Sequence, residues 1–211
     1  VSASIGLTDI DEDFRNLGGS DDERGVTGSL SLNRALPLGT IGLSFDTTVN
    51  STGQRSSVRA SRSFERRIDS VEVSLGLTDS DTGDLGTVAD IAYARQMRSG
   101  ELSLSLSRSV TTTDDDEDLR ITRAGLGYIL SINRLSRVSF QADFVDIADD
   151  GAGSGNDEQR ANLSARWSRQ VNRDWDLSLG YAYEYQEDET TGTADSHGIF
   201  LTVERRFTFL P

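Results

Sequence analysis

Apolar and polar residues alternate along most of this chain with a spacing of two. In ELSLSLSRSV, Leu102, Leu104 and Leu106 are separated by serines, and in SVEVSLGLTD, Val71, Val73, Leu75 and Leu77 are separated by Glu72, Ser74, Gly76 and Thr78. The same period runs through TIGLSFDTTVN (Ile41, Leu43, Phe45), LRITRAGLGYILSI (Leu126, Tyr128, Leu130, Ile132) and RVSFQADFVD (Val138, Phe140, Ala142, Phe144). It continues in ANLSARWSRQV (Leu163, Ala165, Trp167) and DLSLGYAYEYQE (Leu177, Leu179, Tyr181, Tyr183, Tyr185). Strand side chains alternate between two faces, whereas on a helix this spacing would smear the apolar residues around the axis. About twelve such segments of roughly ten to fourteen residues follow one another, separated by Gly, Asn and Asp, and predict hairpins in series.

The connections are of two alternating kinds. Short turns carrying arginine or asparagine (PLGT, RRID, RSG, NRLS, NRD) alternate with mostly longer acidic loops, the first of them running from the end of the Val1–Leu7 strand to Arg24. The last stretch, HGIFLTVERRFTF, sets Ile199, Leu201, Val203, Phe207 and Phe209 on one side and Phe200, Thr202, Glu204, Arg206 and Thr208 on the other. This stretch resembles the closing strand of a Gram-negative outer-membrane β-barrel, although Leu210 and Pro211 follow the final aromatic and Glu204 stands where that signal often has glycine. The resemblance implies an all-β fold, an up-and-down antiparallel transmembrane β-barrel of about 12 strands. It also implies residence in the bacterial outer membrane, and Phe207 and Phe209 as the signal read by the barrel-assembly machinery. Short turns at one end and longer loops at the other fit periplasmic and external ends of a barrel. A soluble β-sandwich is the rival architecture.

The 211 residues suffice for one barrel domain covering 1–211. The chain starts at Val1 without an initiator methionine or a signal segment, which reads as a processed form or the C-terminal part of a longer precursor. With no cysteine there is neither a disulfide framework nor a thiolate metal site. No run reaches the ~18 apolar residues of a membrane helix, so a membrane reading rests on strands. A net charge of −14 argues against nucleic acid as a partner. All 21 cationic residues are arginine, a pattern of GC-rich coding.

On the polar face lie Arg59, Glu72, Asp90, Gln141, Asp143, Asn162, Arg166, Glu184, Glu204 and Arg206. In a barrel they line the lumen, where opposite charges would cross-link facing walls and narrow any aqueous path. Tyr128, Trp167, Trp175 and Tyr181 to Tyr185 suit an interfacial aromatic girdle. Arg205 falls in the apolar register, tolerable only near an interface where it can snorkel to headgroups. Asp79, Asp81 and Asp84 in TDSDTGD are candidate ligands for a hard cation but lack the bidentate glutamate of the twelve-residue calcium loop; solvated loop tips are the ordinary reading. His197, the only histidine, is flanked by Ser196 and Asp195, but neighbours on a strand point in opposite directions and form no relay by adjacency.

These features predict a non-enzymatic, cofactor-free, porin-like channel for small polar solutes or an exported polymer, mildly favouring cations. The alternative is a plugged anchor barrel that binds a partner through its acidic loops or an upstream domain; a hydrolase acting through His197 is a third reading. The expected partners are membrane lipid and lipopolysaccharide, the assembly machinery, and a protein partner or a second copy of the chain.

Overall fold

The computed structural model describes residues 2–16, 19–50, 53–80, 85–112, 118–149, 157–189 and 192–205. They form twelve strands: β1 (Ser2–Asn16), β2 (Gly19–Leu36), β3 (Gly39–Asn50), β4 (Gly53–Glu65), β5 (Asp69–Ser80), β6 (Gly86–Met97), β7 (Gly100–Thr112), β8 (Asp118–Asn133), β9 (Ser136–Asp149), β10 (Glu158–Gln170), β11 (Trp175–Asp188) and β12 (Gly192–Arg205). Each strand pairs antiparallel with the next, in the order β1 to β12 without a crossover. This is an all-β, up-and-down antiparallel transmembrane barrel fold. Among the described residues β1 and β12 are the ends of the series and are not paired with each other.

The ladder shows how period two becomes two surfaces. One register row runs Phe64, Val71, Tyr93, Leu104, Leu126, Ala142, Leu163, Tyr183 and His197 from β4 to β12. The row beside it, displaced by one residue, runs Ser63, Glu72, Ala92, Ser105, Gly125, Asp143, Asn162, Glu184 and Ser196. A slip of one residue anywhere would exchange the faces, so apolar alternation and register specify each other.

The apolar face looks away from the protein. Among the described residues Val88 is the only buried hydrophobic, whereas Leu75, Leu77, Ile91, Leu106, Leu179 and Leu201 are all exposed to between 43% and 67%. A soluble sandwich would instead bury these side chains between its sheets. Strands of 12 to 18 residues exceed the ~9 to 11 needed to cross a bilayer, so their ends project beyond it.

One expectation needs correction. The acidic stretch between Leu7 and Arg24 is not a long loop: the β1–β2 ladder continues from Asp9 opposite Val26 to Asn16 opposite Gly19. Backbone N–H and C=O groups satisfy one another along a hairpin whatever its side-chain pattern, so the ladder outlasts the alternation. At the short-turn end Gly39 takes φ 124°, and a Cβ there would strike the Ser63 carbonyl, which explains why the β2–β3 turn carries glycine. β8 is irregular between Ser131 and Asn133, leaving Ile132 outside the pairing with β9.

Candidate functional site

Nine of the ten residues predicted to line the lumen are described, and all nine fall on the polar face: Arg59, Glu72, Asp90, Gln141, Asp143, Asn162, Arg166, Glu184 and Glu204. Arg206 lies outside the described residues, as do Phe207 and Phe209.

The contacts among them run along the wall. Arg59 Nη1 on β4 lies 3.2 Å from Asp90 Oδ2 on β6, across the intervening β5. Their side chains are 41% and 45% exposed, so water screens the pair. The Ser74 hydroxyl donates to the same Asp90 oxygen at 2.8 Å. Gly76 stands opposite Arg59 in the register, and a Cβ there would press on the Val58 carbonyl and on Val88. Gln141 Nε2 donates to Asp143 Oδ2 at 2.8 Å, and Arg166 Nη2 donates to the Ser178 hydroxyl at 2.8 Å. The expected bridges between facing walls are absent from the described ion pairs. Shear decides which charges approach, and here it places partners on the same strand or one or two strands apart on the same wall.

Beside these contacts the polar face opens into a cavity of about 690 Å³. Two register rows of small residues form much of its surface. One contributes Ala92, Ser105 and Gly125, the other Ala94, Ser103 and Gly127. The hydroxyls of Ser103 and Ser105 fill the space that Cβ atoms at Gly127 and Gly125 would need. Large side chains at these positions would close the cavity. Its charged lining consists of Glu65, Glu72, Glu101 and Asp143, without an arginine. Glu65 and Glu101 are not among the ten residues expected on the lumen wall. Parity alone would have found Glu101, since it shares the face of Ser103 and Ser105.

The outer face carries the predicted aromatics. Tyr128 stands opposite Phe140, Trp167 opposite Leu179, and Tyr181 opposite Ile199. Trp175 stands opposite Arg205, whose guanidinium carbon is 5.4 Å from the indole centroid. This pairing allows Arg205 to occupy the apolar register at the short-turn end.

His197 also faces outward. Its Nδ1 is 2.8 Å from the Tyr181 hydroxyl, its Nε2 is 3.4 Å from Asp195 Oδ2, and its ring centroid is 4.8 Å from that of Tyr183. Ser196 falls on the opposite face, opposite Glu184, so Asp195, Ser196 and His197 do not form a serine relay. Of the candidate cation ligands, Asp79 is an exposed β5 residue opposite Ser56, while Asp81 and Asp84 lie outside the described residues. Among the described residues no group of three or more His, Cys, Asp or Glu side chains is arranged to hold a metal ion.

The fold defines the class as an outer-membrane-type β-barrel, and comparison with known proteins agrees at that level. The chain is similar to OmpT, an outer membrane protein of Vibrio cholerae in its in-vitro folded form, with a TM-score of 0.52 at 11% identity over 98% of this chain and 81% of that one. It is similar also to a variant of that protein lacking loop L8, with a TM-score of 0.50 at 11% identity over 98% and 89% of the two chains. At this identity the likeness concerns the fold alone. No family description matches the sequence, and no curated protein matches it.

Proposed function

We propose that this chain resides in a Gram-negative outer membrane as a non-catalytic, porin-like channel for small polar solutes, with a mild preference for cations. The observation that carries this reading is the cavity on the polar face, lined by Glu65, Glu72, Glu101 and Asp143 with no arginine among its walls. Fixed carboxylates around a water-filled path raise the local concentration of cations and depress that of anions. The serine hydroxyls and the Gln141 amide around them offer hydrogen bonds in place of solvating water.

A plugged barrel is the second reading, favoured by the crowding next to the cavity. Ser74 and Val88 are buried beside the Arg59–Asp90 pair, and Thr78 is buried beside Arg55. Single-channel recording of the purified protein in a planar bilayer, with the reversal potential taken under a salt gradient, separates the two. Discrete openings with a reversal potential on the cation side are expected. Stable insertion without conductance would overturn the open-lumen reading and favour the plugged one.

A further inference from the structure

On the outer face of β2 to β5 lies a second concavity of about 550 Å³, unrelated to the lumen. Its floor is the small side chain of Ala60, flanked in the register by Leu43 on β3 and Leu75 on β5, which are 52% and 62% exposed. At the short-turn end this apolar channel meets two arginines. Arg34 and Arg62 both pair with Ile41 in the same row, one from each side, so about 10 Å of sheet separates their Cα atoms. Guanidinium groups on such stems can converge on one anion between them. No acid lines the groove to neutralise them.

Arg62 is held in this position. Its guanidinium carbon sits 4.3 Å from the Phe64 ring centroid, toward the short-turn end, and its Nη1 is buried with no hydrogen-bond partner among the described residues. An apolar channel that ends between two arginines suits a molecule that carries an acyl chain and an anionic headgroup. We infer that this groove binds an anionic glycerophospholipid from the leaflet at the short-turn end, the acyl chain lying over Ala60 and the phosphate between Arg34 and Arg62. The inference rests on the membrane reading above, and it concerns the outer surface rather than the channel.

The test uses the full chain folded into phosphatidylcholine vesicles, with spin-labelled phosphatidylglycerol or spin-labelled phosphatidylcholine as probe and the motionally restricted fraction as readout. The expected preference for the anionic probe is about fivefold. It should vanish in the double variant Arg34→Gln/Arg62→Gln and persist in Arg169→Gln, which removes an outward arginine elsewhere on the same rim. Ala60→Phe keeps both cations and fills the channel; it should also abolish the preference, and it decides the matter if the double variant does not fold. No preference in inserted wild-type protein, or a preference that survives both changes, would overturn the site. So would occupation of the face by a second copy, seen as a dimer by sedimentation in detergent that Ala60→Phe dissociates. Failure of the wild type to insert would instead refute the membrane reading beneath it, and the lipid site with it.

Discussion

Replacing Glu72 by glutamine removes one of the four carboxylates from the cavity wall while keeping its size and polarity. A cavity of about 690 Å³ corresponds to a sphere of about 5.5 Å radius, which sets the distance between a centred ion and a wall charge. In water a unit charge at that distance contributes about 0.75 kcal/mol, reduced to about 0.4 kcal/mol at 0.1 M salt, where the Debye length is about 10 Å. The term has opposite signs for cations and anions, so Glu72→Gln should lower the cation-to-anion permeability ratio about fourfold. At 1 M salt the Debye length falls to about 3 Å and the same substitution should change the ratio only about 1.5-fold. The assay is the reversal potential across a planar bilayer at both salt concentrations, with Glu101→Gln as an independent repeat. An unchanged ratio at 0.1 M, or an effect equally large at 1 M, would refute the reasoning that these carboxylates face a water-filled path.

Asp90→Ala should lower stability by only about 0.5 to 1 kcal/mol, because the Arg59 ion pair it removes is nearly half exposed; urea unfolding midpoints in vesicles measure this. Gly180→Val should cost more, about 1 to 3 kcal/mol by the same measurement, since a Cβ at Gly180 would run into the Phe200 ring that covers it from β12. Gly39→Ala should destabilise the β2–β3 hairpin by at least about 1 kcal/mol, because alanine is strained at φ 124° and its methyl would meet the Ser63 carbonyl; the folded fraction on semi-native gels reads the loss. Trp175→Ala should remove the aromatic support of Arg205 and cost about 0.5 to 1 kcal/mol, with salt weakening the effect only slightly.

The legible part of the site was its facing. Glu72, Gln141 and Asp143 could be assigned to one surface because each lies between apolar neighbours in an alternating run, and their pairing rows place them there. Their company was not legible. Asp143 and Glu101 are 42 positions apart in the chain, yet both line one cavity, because the one strand between them, β8, presents Gly125 and Gly127 to it. Arg59 meets Asp90 for the same kind of reason: Ser74 and Gly76 on the strand between are small enough to be crossed. Near Asp9 to Asn16 the reading failed in the other direction, since backbone pairing outlasts the side-chain pattern that announces it.

The sequence by itself determined the strand periodicity, the two chemically distinct faces and the short turns at one end, since each depends only on local spacing. It also placed His197 and Asp195 on one face and Ser196 on the other, because parity is a property of the strand. Only the tertiary structure decided which rows meet, where small side chains leave a cavity on the polar face, and that Arg34 and Arg62 flank one groove. Those outcomes depend on inter-strand register, which sums the offsets of every hairpin between two positions.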